Sequence, residues 1–229
     1  MSTLAAHQTQ YIPYPGLFNK LFDCDVFVFQ DDVQYVKQEF QNRNRIRTPD
    51  GWKWLTLPVH YKSHHAIAEI YPAEPFWEKR HQRIVQMYYG KSSYIDRMKN
   101  FWKITEAHKE ASLSVIAFET TCYLAALISR YRYNNIRIIL ESELNLTKEE
   151  TSTPTNRLIT LCKKLGCDRY ISGMGGAAYL NIPAWQEHGI ELSWQKYQPK
   201  RYKQLYEGWV PNLSIIDLLL NTEDPFEYL

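Results

Sequence analysis

The stretch Asp25-Val-Phe-Val-Phe-Gln-Asp-Asp32 decides the fold class. Its first part, Asp25–Phe29, is a nearly continuous run of β-branched and aromatic residues, which is typical of a strand buried on both faces. Strands of this kind occur in parallel sheets that are covered by helices. The polar residues Gln30, Asp31 and Asp32 follow where such a strand would end. The stretch therefore predicts a parallel sheet with a polar strand end.

Strand and helix patterns alternate on both sides of this stretch, around an early hairpin. Thr153 and Pro154 have the residue types of a helix N-cap and first helical position, Gly166 ends that helix, and Pro183 limits a brief later one. The order predicts an α/β fold of three layers, with a mostly parallel sheet flanked by helices. We expect strands at Thr3–Ala6, Asp25–Phe29, Ile136–Leu140, Asp168–Ile171 and Gly189–Trp194, helices at Leu17–Phe22, 75–108 and 119–133, and a hairpin at 40–59 with its turn at Thr48-Pro49-Asp50-Gly51.

Composition limits the class of protein. The chain has 229 residues, 45% of them hydrophobic, so we expect one domain spanning 1–229 with a substantial core. The formal net charge of +2 argues against a protein whose main task is to grip a nucleic-acid backbone.

The expected location is the cytoplasm. The four cysteines show neither a disulfide framework nor paired zinc-knuckle spacing, which favours free thiols in a reducing compartment. No apolar run approaches the ~20 residues that span a bilayer. Residues 1–6 lack the basic and apolar regions of a secretory signal.

Three polar clusters follow predicted strands: His7-Gln8, Gln30-Asp31-Asp32 and Ser172–Gly176. In open α/β sheets, ligands bind beyond the carboxyl ends of the strands. The clusters therefore predict a functional site at one edge of the sheet.

The first two clusters offer acid–base groups. His7 could act as a general acid or base, since its reference pKa is ~6.5, or it could satisfy a backbone group at the strand end. Asp31 and Asp32 could orient His7, bind a cation, or hold a ligand hydroxyl or amine. One of the two could equally be an ordinary turn residue.

The third cluster, Ser172-Gly-Met-Gly-Gly-Ala-Ala, matches Gly-x-Gly-x-x-Ala on paper. A dinucleotide fingerprint opens the first βα unit, whereas this one comes late, with Pro183 soon after, so we do not expect a Rossmann cofactor site. A glycine loop between a strand and a helix can cradle a phosphate or carboxylate. The alternative is a tight turn without a ligand.

The predicted hairpin carries a basic segment, Gln41-Asn42-Arg43-Asn44-Arg45. Arg43 and Arg45 would share a face and could clamp a phosphate or pyrophosphate. The alternative is a charged, solvated edge strand. His60, His64 and His65 lack the further ligands of a metal site, so no metal is expected. Nothing near Cys24 or Cys162 would lower a thiol pKa, so neither is expected to be a nucleophile.

Several segments in order resemble the WbqC-like protein family. They cover nearly the whole chain and include His7-Gln8, Tyr11-Ile-Pro13-Tyr-Pro-Gly16-Leu-Phe18-Asn-Lys20, Asp25–Tyr35, Gln41–Ile46, Gly51–Val59, Thr155–Ile159, Tyr170–Leu180, Tyr197-Gln-Pro199 and Pro211–Asp217. Two positions depart from the pattern: Thr9 stands where Pro or Asn is frequent, and Ala177 where Lys is common. The second departure removes an expected anion contact.

The resemblance implies a place among bacterial O-antigen and related biosynthetic proteins, with a proposed role in transferring glycine or another amino acid onto a sugar. The first segment is also similar to that of nucleotidyltransferases with a His-x-Gly-His turn. Here the turn reads Tyr14-Pro-Gly16-Leu, without either histidine, so the likeness is an analogy of fold alone.

The leading hypothesis is an acyl or aminoacyl transferase acting on a sugar or small amine in bacterial glycan or secondary-metabolite biosynthesis. His7 would be the general base, and Asp31 or Asp32 would orient it or bind the amine. The donor would be ATP-activated or nucleotide-linked, or carried by a tRNA or a carrier protein. The residues expected to bind substrate or phosphate are Gln8, Tyr11, Lys20, Gln34, Tyr35, Asn42, Arg43, Asn44, Arg45, Trp52, Ser172, Gly173, Gly175, Gly176 and Tyr179.

Two alternatives remain open. One is a nucleotide- or sugar-binding protein without catalysis, which would keep its ligand after His7→Ala. The other is an RNA-binding module for an aminoacyl-tRNA donor, whose platform would be Arg43, Arg45 and Arg47 with Trp52 and Trp54.

Overall fold

A computed structural model describes residues 1–62, 64–129 and 136–229. The strands are β1 (Thr3–Gln8), β2 (Val26–Gln30), β3 (Arg43–Thr48), β4 (Gly51–Thr56), β5 (Val59–His60), β6 (Tyr71–Pro72), β7 (Arg137–Leu140), β8 (Arg169–Ser172) and β9 (Glu191–Trp194). The α-helices are α1 (Pro15–Phe22), α2 (Trp77–Tyr89), α3 (Lys99–Ala107), α4 (Leu113–Ile128), α5 (Pro154–Leu165), α6 (Ile182–Glu187) and α7 (Ile215–Asn221). The predicted fold class is confirmed: a three-layer α/β fold with a parallel sheet, helices and an early hairpin.

The backbone contacts group the chain into two compact units. The sheet unit comprises 1–8, 19–30 and the described residues of 134–197, and the hairpin unit comprises 9–18, the described residues of 31–133, and 198–229. The expectation of a single domain stays a prediction.

The sheet unit contains a five-stranded sheet in the order β7-β2-β1-β8-β9, in which every neighbouring pair is parallel. Numbered along the chain, this is the order 3-2-1-4-5 of doubly wound folds, and it reverses direction between β1 and β8. The β1–β8 register ends at Ala5 opposite Ile171, whereas β1 stays paired with β2 through Gln8. The two strands therefore separate at their carboxyl ends.

One face of this sheet packs on α5 and α6. Leu4, Val26 and Val28 alternate along their strands and share a buried core with Leu158 of α5 and Trp185 of α6. Helix α5 begins as predicted: the Thr153 side chain accepts a hydrogen bond from the Asn156 amide, and Pro154 lies in the first turn. It ends at Gly166, whose φ of 67° is a left-handed conformation that glycine adopts without strain.

The hairpin unit is built on the antiparallel pair β3–β4, as predicted. Its turn closes with Thr48 opposite Gly51, which has a φ of 124° that disfavours a side chain. The apolar run in α7, Ile215 to Leu220, is buried within the same unit. The Ser214 amide donates to the Arg45 carbonyl and the Ile215 amide donates to the Pro13 carbonyl, which fixes the start of that helix.

Several predicted boundaries are wrong. Residues 75–108 form two helices, α2 and α3, separated by a break after Gly90. The helix expected at 119–133 begins earlier, at Leu113, and the end of that prediction lies outside the described residues. The brief helix expected between the glycine loop and Pro183 is a 3-10 helix at Met174–Ala178. Pro183 lies in the first turn of a separate helix, α6, which was not expected there; a first-turn residue needs no amide hydrogen. No helix in the described part of the chain is long and apolar enough to cross a membrane.

Candidate functional site

The gap between the carboxyl ends of β1 and β8 holds the ammonium group of Lys20. This side chain is only 4% exposed, and its Nζ donates a hydrogen bond to the Ala6 carbonyl over 2.9 Å. Among the described residues, no carboxylate lies within ion-pair distance of it. Burial lowers the pKa of Lys20 to about 8, so the group is still mostly charged at neutral pH. A buried cation without a counter-ion is costly and suits an anionic ligand.

His7 is the next residue along β1 after the carbonyl that Lys20 binds. Its Nδ1 lies 2.9 Å from the Gln8 carbonyl oxygen. Because that oxygen can only accept, Nδ1 carries the proton and Nε2 keeps its lone pair. Burial, and then the positive charge of Lys20, lowers the pKa of His7 to about 3. His7 is thus a neutral imidazole at physiological pH, which is the state that a general base requires.

The glycine loop begins beside Lys20. A Cβ placed on Gly173 would lie 4.0 Å from Lys20 Nζ, and one placed on Gly175 would meet nothing within 4 Å. Gly176 differs, since a Cβ there would lie 2.3 Å from Ser172 Oγ and 3.3 Å from the Trp194 ring. The Gly176 amide donates to the Gly173 carbonyl, so it is used inside the loop. Gly176 is therefore a packing residue, while Gly173 and Gly175 leave space open.

Two polar residues at this edge were missed by the sequence reasoning. Gln195 directly follows β9, and its Nε2 donates to Asn19 Oδ1 over 2.7 Å. Its amide donates to the Ser172 carbonyl. The rule that selected His7 and Gln8, a polar residue at a strand's carboxyl end, would also have selected Gln195. Asn19 carries no comparable signal, because its position follows from where α1 docks.

The carboxylates expected to assist His7 belong to the hairpin unit. Asp31 is 1% exposed and its carbonyl accepts from the Ala68 amide, whereas Asp32 is exposed. Gln34 forms an isolated bridge with Ala66 in the same unit. The roles predicted for Asp31 and Asp32 stay predictions.

Three of the residues predicted to bind substrate have structural contacts in the hairpin unit. Tyr11 and Asn44 are fully buried and Asn42 is 6% exposed. The Tyr11 hydroxyl lies 3.0 Å from His81 Nδ1, and Asn42 Nδ2 donates to the Leu57 carbonyl. Asn44 Nδ2 donates to the carbonyl of Ile12, a β-branched residue with a φ of 46°. The Asn44 contact thereby helps to hold a strained backbone conformation.

The remaining predicted binding residues differ in exposure. Trp52 and Tyr179 are exposed, whereas Tyr35 is buried, with its ring 5.6 Å from that of Tyr61. Arg43 and Arg45 do share a face of the hairpin. The Arg43 guanidinium lies 4.1 Å from the centre of the Trp54 ring, and that of Arg45 lies 5.1 Å from the Trp52 ring.

Arg47, on the same face of the hairpin, is different. It is 3% exposed, and its guanidinium donates to the Thr48, Gly51 and Glu207 carbonyls. Arg47 therefore holds the chain together and is not available to an external ligand. In the described residues, no group of three or more His, Cys, Asp or Glu side chains is placed to hold a metal ion.

Comparison with known proteins identifies the family. Residues 8–225 match the WbqC-like protein family. The uncharacterized protein Rv1507c of Mycobacterium tuberculosis (strain ATCC 25618 / H37Rv) is 31% identical over 228 residues, which cover 96% of this chain and 94% of that protein. No solved structure matches the chain significantly. The chain belongs to the WbqC-like protein family.

Proposed function

We propose that this protein is an acyl or aminoacyl transferase that modifies a sugar or another small amine in the cytoplasm, in bacterial glycan or secondary-metabolite biosynthesis. The main support is the buried Lys20 ammonium, which has no carboxylate partner in the described part of the chain and lies beside a neutral His7 where the strand order reverses. In α/β sheets this is the position at which ligands bind. The role proposed for the family, transfer of glycine or another amino acid, supports the same reaction class.

The two side chains have complementary tasks in such a reaction. Lys20 would hold an anionic group of the substrate, a phosphate or carboxylate, next to the open space at Gly173. His7 Nε2 would take a proton from the acceptor amine as its nitrogen attacks the acyl carbon. The nitrogen–carbon bond then forms, and the leaving group departs with its electron pair. A nucleotide-linked donor, or one activated with ATP, would supply the anion that Lys20 lacks.

Ligand binding at Lys20 is tested by thermal shift and calorimetry with inorganic phosphate, pyrophosphate, AMP and acetate. We expect at least one of these anions to stabilise the wild type and to bind at least tenfold more weakly to Lys20→Met. Lys148→Met is the matched control, because it removes the same charge from an exposed position of the sheet unit. Affinity should fall as the pH rises above about 8, where Lys20 loses its proton. Equal anion binding by wild type and Lys20→Met would contradict the assignment.

Catalysis is tested with labelled donors of three kinds, aminoacyl adenylates, aminoacyl-tRNA and acyl thioesters, against amino-sugar acceptors. His7→Ala should lose about 10²–10⁴ in kcat while keeping anion affinity, since a general base contributes that much to a rate. Asp32→Asn tests the predicted assistance by a carboxylate. If no donor is turned over and anion binding survives His7→Ala, the protein is a binding protein without catalysis.

The hairpin supports a second candidate function, an RNA-binding surface for an aminoacyl-tRNA donor. Strands β3 and β4 contain no acidic residue, and Arg43 and Arg45 lie over Trp54 and Trp52 on one face. Guanidinium groups and exposed aromatic rings are the usual contacts for phosphates and unpaired bases. Binding of single-stranded RNA that weakens steeply with salt and with Arg43→Ala would favour this function.

A further inference from the structure

The Lys20 ammonium has two N–H groups that no described residue uses. An ammonium carries three N–H groups, and its hydrogen bond to a described residue is the one to the Ala6 carbonyl, over 2.9 Å. The side chain is only 4% exposed. Gly173 leaves room beside it, since even an added Cβ there would lie 4.0 Å from Nζ. A ligand that completes the ammonium therefore has to bring two acceptor atoms into one small space.

One positive charge is available to a ligand in the gap between β1 and β8. His7 is neutral, and among the described residues Lys20 is the charged side chain whose field lowers the pKa of that imidazole. Burial raises the pKa of the Cys24 thiol, the other titratable group that acts on Lys20, so the thiol is uncharged as well. The glycine loop, Ser172–Leu180, contains no charged residue. The gap therefore offers a buried ligand a single positive charge.

Arg157 of α5 is another cation of the sheet unit with a mostly buried side chain, and the chain itself neutralises it. Its Nη1 lies 2.6 Å from Glu141 Oε1, and the two side chains are 17% and 0% exposed. One buried cation is thus matched by one carboxylate. Lys20 has no such carboxylate among the described residues, so the matching single charge is expected from a ligand.

We infer that the Lys20 site takes a singly charged oxyanion with two free oxygens, a carboxylate or the phosphate of a diester or acyl adenylate, and discriminates against doubly charged phosphates. The inference rests on the proposed function and narrows its ligand. The free energy needed to remove an ion from water rises with the square of its charge, whereas its attraction to one ammonium rises only in proportion. A second negative charge would therefore be desolvated at a cost that its attraction to Lys20 does not offset.

This limit on charge separates the donors considered for the transfer reaction. An acyl adenylate carries one negative charge, on the phosphate bonded to its acyl group. AMP and ATP end in a phosphate that carries about two charges at neutral pH, so they fit less well. An aminoacyl-tRNA ester or an acyl thioester has no charge on the atoms next to the acyl carbon. With either of those donors, the anion at Lys20 would be a carboxylate of the acceptor.

The test is calorimetric titration of the wild type at pH 7 with dimethyl phosphate, acetate and methyl phosphate. Dimethyl phosphate and methyl phosphate are similar in shape but differ in charge. We expect the two monoanions to bind about tenfold more tightly than methyl phosphate, or better. Lys20→Met should lose this binding, whereas Lys148→Met, which removes an exposed charge, should keep it. Tighter binding of dimethyl phosphate than of acetate would indicate an acyl adenylate, and the reverse order a carboxylate.

A change of pH alters the charge of methyl phosphate without altering that of the site. A phosphate monoester has its second pKa at about 6, so it is a monoanion at pH 5. Lys20, with a pKa of about 8, is charged at pH 5 and at pH 7, and His7, with a pKa of about 3, is neutral at both. The affinity of methyl phosphate should therefore rise towards that of dimethyl phosphate at pH 5, while dimethyl phosphate itself changes little.

Gly173→Ala is a second variant, and it keeps the charge of Lys20. The φ of Gly173, −67°, suits alanine, so the variant should fold, but its methyl group would occupy the space beside Nζ and weaken the binding of monoanions. Unchanged binding in Gly173→Ala would overturn the inference.

Two results with the wild type would also overturn it: no binding of either monoanion, or methyl phosphate bound as tightly as dimethyl phosphate at pH 7. If the preference for monoanions holds but no donor is turned over, the proposed function alone is contradicted. The two failures are therefore distinguishable.

Discussion

Two regions of the molecule bury a charged side chain, and they treat it in opposite ways. Asp217, in α7 of the hairpin unit, accepts hydrogen bonds from the Tyr89 and Tyr202 hydroxyls and from Gln204 Nε2, at 2.8, 2.7 and 2.9 Å. Lys20, in the sheet unit, has the Ala6 carbonyl as its one hydrogen-bond acceptor within the described residues. The protein supplies three hydrogen-bond donors to the Asp217 carboxylate, whereas the Lys20 ammonium uses only one of its N–H groups on an acceptor within the described residues.

The difference separates structural charges from candidate functional ones. Burial raises the pKa of Asp217, and the three hydrogen bonds oppose that rise by stabilising the carboxylate. Through these hydrogen bonds, the Asp217 carboxylate links α2, the segment around 202–204 and α7. It therefore contributes to the stability of the fold. An ammonium left with unused donors costs stability, and a protein keeps such a group where a ligand completes it.

The largest effect should follow the removal of the satisfied charge. Asp217→Ala removes the buried acceptor shared by the Tyr89 and Tyr202 hydroxyls and Gln204 Nε2, so we expect a loss of roughly 3–5 kcal/mol in the free energy of unfolding. Chemical denaturation measures it. Asp96→Ala is the control, because Asp96 forms an exposed i,i+3 pair with Lys99 and should change stability by less than about 0.5 kcal/mol. A loss for Asp217→Ala as small as that of the control would remove the distinction.

The pH dependence of the free energy of unfolding should reflect the burial of His7 at the carboxyl end of β1. The folded-state pKa of His7, about 3, lies below the value of 6.5 expected when unfolded. Between these values the unfolded chain binds a proton that the folded chain does not, so stability falls as the pH drops from 6.5 towards 3. Allowing for partial exposure, the His7 contribution lost by pH 4 is about 2 kcal/mol.

His7→Gln should reduce this loss of stability at acid pH, measured as the free energy of unfolding between pH 7 and 4. Part of the loss should remain, because the pKa of His81 is likewise lowered, to about 4. If His7→Gln loses as much stability between pH 7 and 4 as the wild type does, the imidazole is not desolvated as described.

Gly176 is closely packed and Gly175 faces open space, so the two should differ in the stability that each loses when replaced by alanine. Gly176→Ala would place its Cβ 2.3 Å from Ser172 Oγ and 3.1 Å from Leu180 Cδ1, so we expect a loss of about 1–3 kcal/mol by thermal or chemical unfolding. Gly175→Ala, with nothing within 4 Å, should be neutral within about 0.5 kcal/mol. Equal costs for the two variants would show that the loop rearranges freely.

Of the two buried charges compared, Lys20 should affect stability less when it is removed. Lys20→Met removes a desolvated ammonium but leaves the Ala6 carbonyl without its donor, so the two terms nearly cancel and stability should change by about 1 kcal/mol or less. A loss as large as that of Asp217→Ala would show that Lys20 is structural. The variant would then say nothing about ligand binding.

Local sequence was sufficient for much of the fold. The β-branched run of β2, the Thr153 and Pro154 start of α5, its Gly166 end and the turn at Gly51 were all predictable, because each depends on backbone preferences of a few adjacent residues. The position of His7 and Gln8 at a strand end was predictable for the same reason. The break after Gly90 and the start of α6 at Pro183 were not, since a helical period does not say where tertiary packing interrupts it or begins another helix.

The sequence by itself determined the class of fold, the strands that carry polar ends, and the family. Only the tertiary structure decided that β1 and β8 are neighbours that separate at Ala5, and that Lys20 enters the gap with no carboxylate partner among the residues the structure describes. The physical reason is the separation along the chain over which each effect acts. Backbone preference acts between adjacent residues, whereas the environment of a charge is set by side chains from distant parts of the chain, and no local pattern records whether those side chains satisfy it.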